Sequence, residues 1–134
     1  MTSEDQGRSV KKILVVEDDP VNVLVLYDFL STRGYQTTLA RNGPDGLARF
    51  EQDEPDLAII DVQLPLKNGF EVCFDIRRSP KGQSTPILLM SAVYTDIEHA
   101  ERHATLGLQA QGYLLKPFEL TTLLDHVYRL IGKP

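Results

Sequence analysis

Four short apolar runs in this chain each stop at a polar residue. Ile13-Leu14-Val15-Val16 meets Glu17-Asp18-Asp19, and Leu57-Ala58-Ile59-Ile60 meets Asp61. Ile87-Leu88-Leu89-Met90 meets Ser91, and Tyr113-Leu114-Leu115 meets Lys116-Pro117. Continuous apolar runs of this length suit strands covered on both faces, which is the condition of a parallel sheet. Segments of helical character lie between them, so strand and helix alternate as in βαβ units. If the strands are parallel, their carboxyl ends meet along one edge, where open α/β sheets take their ligands. That edge would gather carboxylates, a hydroxyl and an ammonium in one crevice.

The runs place strands near 12–17, 35–40, 57–61, 86–91 and 112–116. Helices are expected at 20–33, 44–51, 70–78, 95–106 and 119–131. The last has the clearest periodicity, with Leu120, Leu123, Leu124, Val127, Leu130 and Ile131 on one side and Gly132 as its stop. The 44–51 helix follows Gly43 and opens on Pro44, the 70–78 helix follows Asn68-Gly69, and the 95–106 helix stops at Gly107. The first helix conflicts with its own composition: Val21, Val23, Val25 and Tyr27 alternate with Asn22, Leu24, Leu26 and Asp28, which is strand-like. Asp19 and Pro20 nevertheless form a good cap and first residue, and a parallel pair needs a crossover here. A helix closed by Gly34 follows.

The fold expected is a doubly wound (βα)5 α/β domain with five parallel strands in the order 2-1-3-4-5, given right-handed crossovers and one reversal. Asp18, Asp19 and Asp61 then flank the switch point between the first and third strands. The 35–40 strand ends without a comparable polar residue, as fits a strand at the sheet edge.

The 134 residues suit one domain, taken as 10–134 behind a polar, disordered tail at 1–9. A net charge of −5 argues against direct nucleic-acid binding. No apolar stretch approaches the roughly 18 residues of a membrane span, and the start has no apolar signal core. The lone Cys73, read as a buried and inert thiol, fits a reducing compartment. A cytoplasmic protein is expected. His99 and His103 stand four apart on an expected helix, but Glu98, Glu101 and Arg102 beside them mark a solvated polar face.

Crowded carboxylates cannot all stay ionised without compensation. A divalent cation supplies it, and hard oxygen donors suit Mg²⁺. Lys116 offers a compact positive charge for a phosphate oxygen, and Ser91 a hydroxyl that can turn toward a new anion. Phosphoryl transfer needs mainly positioning and neutralisation, and Asp61 can serve as nucleophile because carboxylates form acyl phosphates.

Taken in order, Glu17-Asp18-Asp19, Asp61 with Pro65 and Gly69, Met90-Ser91-Ala92 and Tyr113-Leu114-Leu115-Lys116-Pro117-Phe118 resemble the receiver domain of two-component response regulators. The resemblance covers about residues 11–131. It implies a flavodoxin-like fold and a signalling switch that catalyses only its own phosphorylation and dephosphorylation. It implies that Asp61 accepts a phosphoryl group from a phosphohistidine on a sensor histidine kinase or histidine phosphotransfer protein. Asp18, Asp19, Asp61 and the backbone carbonyl of Gln63 would hold Mg²⁺, and Lys116 would pair with the phosphoryl group. Ser91 would move toward it, Tyr113 would follow inward as the switch aromatic, and a cis bond would precede Pro117. Output would be a changed affinity for a downstream protein, through the face of the 95–106 helix, the last strand and the last helix, or homodimerisation.

The chain departs from the family pattern in places. Ser91 stands where Thr is commoner, Leu64 replaces the usual Met, and Leu66-Lys67-Asn68 replaces a Met-Asp pattern. The stretch from Ser91 to Lys116 is a few residues longer than usual, around 105–111. Gln63 and Val93 occupy positions that in this family influence hydrolysis of the acyl phosphate. The exposed part of Val23, Val25, Leu26 and Tyr27 is expected to dock a helical partner. Competing readings are a receiver-like adaptor that ignores phosphorylation, a Mg²⁺-dependent aspartyl phosphohydrolase, and a flavin- or nucleotide-binding module. The phosphohydrolases usually carry Asp-x-Asp after the first strand, where this chain has Glu17-Asp18-Asp19-Pro20. The nucleotide binders need a Gly- or Ser/Thr-rich first loop, where this one is acidic.

Overall fold

The computed structural model describes residues 10–92 and 109–134. The expected tail at 1–9, the 95–106 helix with Gly107, and Val93, His99 and His103 lie outside the described residues. Five strands form one parallel sheet in the order β2-β1-β3-β4-β5. They are β1 (Lys12–Val16), β2 (Gln36–Ala40), β3 (Leu57–Asp61), β4 (Ile87–Ser91) and β5 (Gly112–Leu115). The sequence places each of them to within a residue at either end.

Period-two alternation divides the core. Leu14, Val16, Ala58, Ile60, Ile87 and Leu89 face one side of the sheet, where they meet Phe50, Val72, Cys73 and Ile76. Ile13, Val15, Leu57, Ile59, Leu88 and Met90 face the other, where they meet Leu26, Leu30, Leu123 and Val127. Each fully buried aliphatic chain contributes about 1.5–3 kcal/mol over the same chain left in water. Burial also pushes the Cys73 thiol up to about 11, so it stays protonated and inert at neutral pH.

Four helices cover these faces: α1 (Pro20–Ser31), α2 (Gly43–Asp53), α3 (Gly69–Arg78) and α4 (Leu120–Ile131). The first is helical despite its strand-like alternation. The Asp19 carboxylate accepts from the Val21 and Asn22 amides, which fixes the start of α1, and only Val23, Leu26 and Leu30 are buried along it. The alternation leaves Val21, Leu24, Val25 and Tyr27 on the outside, between 42% and 67% exposed. The helix ends at Ser31, two residues short of the expected 33, and Gly34 follows at φ +102°. Asn68 does more than mark a turn: its side chain and that of Glu71 form a reciprocal cap on α3. Among the described residues no helix is long and apolar enough to cross a membrane.

Candidate functional site

The register decides which acid stands beside Asp61. Val16 of β1 is paired with Ile60 of β3, so the next residues, Glu17 and Asp61, leave the sheet side by side. Asp61 is in turn paired with Met90, and Ser91 with Leu115, so Lys116 emerges one step beyond. Glu17, Asp61 and Ser91 are the buried polar residues of the described chain.

Lys116 ties the acids together. Its Nζ donates to Glu17 Oε1 at 2.7 Å and to Asp61 Oδ2 at 2.8 Å. The other Asp61 oxygen, Oδ1, accepts from the Gln63 amide at 3.1 Å, and Glu17 Oε2 accepts from the Asp19 amide at 3.1 Å. The Gln63 side-chain oxygen reaches across to the Ala92 amide at 3.3 Å, joining the loop after β3 to the end of β4. Gly69 is required beneath this loop, because a Cβ there would sit 2.3 Å from the Asp61 carbonyl oxygen. The Lys116–Pro117 bond is cis.

Burial pushes the Glu17 carboxyl up, the adjacent Asp61 carboxylate adds to the rise, and Lys116 opposes it. Burial works against the Lys116 ammonium, but Asp61 and Glu17 outweigh it and raise its pKa. Asp19 behaves differently. The Asn22 and Val21 amides hold its carboxyl below the usual range, and it lies exposed at the mouth of α1.

The expected site residues therefore separate. Asp61, Lys116 and the backbone of Gln63 lie together. Ser91 is buried at the end of the adjacent strand, and Asp18 is exposed beside the crevice. Asp19 serves the helix cap through one oxygen, Oδ1. Tyr113 is buried and packed in the cluster under α2 and α3. Sequence reasoning passed over Glu17 as a site residue. Its signal was available in the register, since it follows its apolar run as directly as Asp61 follows its own. Sequence reasoning also passed over Arg41. The 35–40 strand lies at the sheet edge as expected, and one residue past β2 the Arg41 guanidinium donates to the Asp18 carbonyl oxygen at 2.6 and 3.2 Å.

Two buried carboxylates face a single ammonium here, which leaves one negative charge uncompensated. A divalent cation at the mouth fits that imbalance. No cluster of three metal-binding side chains converges as a closed cage among the described residues. Mg²⁺ does not ask for one, since it keeps several waters and takes one or two carboxylates. A cavity of about 430 Å³ opens next to the ion pair, lined by Glu17, Asn22, Val25, Ala92, Lys116 and Phe118 among others.

The profile of the response regulator receiver domain matches residues 13–128. Response regulator MprA of Mycobacterium avium is 38% identical over 122 residues, covering 91% of this chain and 51% of that protein. The chain thus spans about half the length of the curated relatives it matches. Chemotaxis response regulator CheY4 of Vibrio cholerae superposes with a TM-score of 0.83 at 29% identity, covering 92% of this chain and 100% of that one. The receiver domain of sensor histidine kinase PA1611 of Pseudomonas aeruginosa superposes with a TM-score of 0.81 at 30% identity, over 93% of this chain and 100% of that one. That domain carries a magnesium ion coordinated in its active site cleft.

Proposed function

The chain belongs to the response regulator receiver domain family, and we propose that it works as a phosphorylation-controlled switch with Asp61 as the phosphoacceptor. The observation that carries this reading is the Lys116 ammonium held on Asp61 Oδ2 at a buried strand end. An Asp61 oxygen attacks the phosphorus of a partner's phosphohistidine. The new O–P bond forms as the P–N bond breaks, and the imidazole leaves with the electron pair. Lys116 shifts its charge toward the added phosphoryl oxygens, which releases its hold on Glu17. The Ser91 hydroxyl turns toward the new anion, and the Tyr113 packing follows it. The protein is a signalling switch whose only catalysis is on its own acyl phosphate.

Mg²⁺ supplies charge neutralisation for the phosphoryl oxygens when bound. We assign it to the Asp18 and Asp61 carboxylates and the Gln63 backbone carbonyl, with Glu17, held by Lys116 beside Asp61, acting on the ion through water in the place expected for Asp19. Asp19 caps α1 through Oδ1 at the exposed helix mouth, whereas Glu17 stands in register beside Asp61. The magnesium-bearing cleft of the PA1611 receiver domain supports the choice of metal.

The phosphoryl donor is a cytoplasmic sensor histidine kinase or histidine phosphotransfer protein. The exposed apolar side of α1, Val21, Leu24, Val25 and Tyr27, meets the cavity beside Lys116 at Val25 and suits a histidine-bearing helix. The output is altered binding of a downstream protein, or of a second copy, at the face formed by β5 and α4. Acetyl phosphate with Mg²⁺ is expected to label the chain, and Asp61→Asn is expected to remain unlabelled. Strong labelling of that variant rejects Asp61. Leu24→Glu is expected to slow transfer from a phosphohistidine donor about tenfold or more, the cost of a buried interface charge. Labelling by acetyl phosphate should stay as it is; equal loss of both would remove α1 from the docking surface.

A further inference from the structure

We infer that Arg41 is a positioning residue for the acidic turn between β1 and α1, and that it sets how tightly the crevice takes a divalent cation. The inference rests on the reading of that crevice as a Mg²⁺ site. The turn is fastened from several sides. The Glu17 amide donates to the Ala40 carbonyl at 3.0 Å, tying the turn to β2. The Asp19 side chain is bound to the first amides of α1. Asp18 lies between these anchors, and Arg41 holds it by the main chain. Both Nε and Nη2 of the guanidinium donate to the one Asp18 oxygen, at 3.2 and 2.6 Å. Two donors on one edge of a rigid plane fix that peptide's orientation, which a lysine's single rotatable point charge does not reproduce.

Arg41 is itself held from behind. Asn42, the next residue, caps α2 through the Asp45 amide at 2.8 Å. Gly43 packs so closely on Lys67 that a Cβ would lie 2.0 Å from its carbonyl oxygen. The same short loop therefore touches both the acidic turn and the loop that carries Gln63. A peptide held in one orientation aims the Asp18 carboxylate before the ion arrives, so less ordering is needed on binding. Arg41 reaches a main-chain oxygen and touches neither Asp61 nor its ammonium partner.

Charge and positioning predict opposite signs. Removing a cation near a cation site strengthens Mg²⁺ binding, whereas releasing the Asp18 peptide weakens it. With Mg²⁺ alone as titrant on the full chain, calorimetry should find Arg41→Ala about three- to tenfold weaker than the natural chain, the scale of one net hydrogen bond. Arg41→Lys keeps the charge without the fork, and its affinity should lie nearer to Arg41→Ala. Acetyl phosphate labelling should show the same shift in the Mg²⁺ concentration for half-maximal rate, with the rate at saturating Mg²⁺ unchanged. Arg41→Ala binding Mg²⁺ as tightly as the natural chain, or more tightly, overturns the inference while leaving the metal site intact. Failure of the natural chain itself to bind Mg²⁺ overturns the metal site, and the inference with it.

Discussion

Each end of the sheet holds a lysine that makes paired bonds, and the two lysines have opposite consequences. At the amino end, Lys11 Nζ donates to the Ile131 and Lys133 carbonyls at 2.6 and 2.8 Å. Tyr35 adds a bond to the Gly132 carbonyl at 2.6 Å. Together they clasp the outgoing end of α4, where the helix dipole and its unpaired carbonyls favour a positive charge. At the carboxyl end, Lys116 donates to two carboxylates that are both buried. Carbonyl oxygens carry only partial charge and nothing is left over. The two acids carry more charge than one ammonium can cancel. The same side chain is a fastener at one end and one component of an unfinished charge balance at the other, and only the second end has something to offer a ligand.

The largest effect that would sharpen this contrast comes from Lys116→Met. It leaves Glu17 and Asp61 facing each other without a counter-charge, and removal of one partner from a buried ionic group costs about 3–5 kcal/mol. The sign of its pH dependence follows from Glu17, whose folded pKa is raised above 4.5 by burial and by Asp61. Stability from such a group is complete below 4.5 and is lost as the pH rises through the folded value. Lys116 offsets that loss in the natural chain. Urea unfolding should therefore find the variant's deficit greatest near about pH 7 and much smaller near about pH 5. Adding Glu17→Gln should recover most of it at neutral pH. A deficit independent of pH, or one untouched by the second change, would mean that Lys116 acts through packing alone.

The difference between the two ends also separates what the sequence made legible from what it did not. Strand order is not encoded locally, since crossover rules fix the handedness and the family resemblance implies where the winding reverses. The strands themselves are encoded locally, in the apolar runs. Asp61, Ser91 and Lys116 are legible for the same reason, since each closes its run. Three acids in succession carry no such punctuation. Whether Glu17, Asp18 or Asp19 faces Asp61 depends on the pairing of Val16 with Ile60 and on the use of Asp19 as a cap. The cap is legible in Asp19-Pro20; that a single Asp19 oxygen, Oδ1, accepts from both the Val21 and Asn22 amides is seen only in the fold. Arg41 eluded the reading because its reach is that of a long side chain crossing from a neighbouring strand, which no periodicity in its own segment encodes. The clasp of Lys11 on Ile131, 120 residues away, is invisible for the same reason.

Lys11→Met is the smaller test and the one that breaks the comparison if it fails. Its bonds join neutral oxygens at a helix end, so their loss should cost about 1 kcal/mol. Both acceptors are main-chain carbonyls, so the deficit in urea should be equal near about pH 5 and about pH 7. The amino ends of β1 and β2 are separated from the crevice by the full length of the strands. Labelling by acetyl phosphate should accordingly keep the natural rate and the natural Mg²⁺ dependence. A changed labelling rate in Lys11→Met would mean that strain at the α4 terminus reaches Lys116, which directly precedes the Pro117-Phe118-Glu119 entry to that helix. The two lysines would then belong to one coupled element, with α4 as the link, rather than to two ends with separate duties.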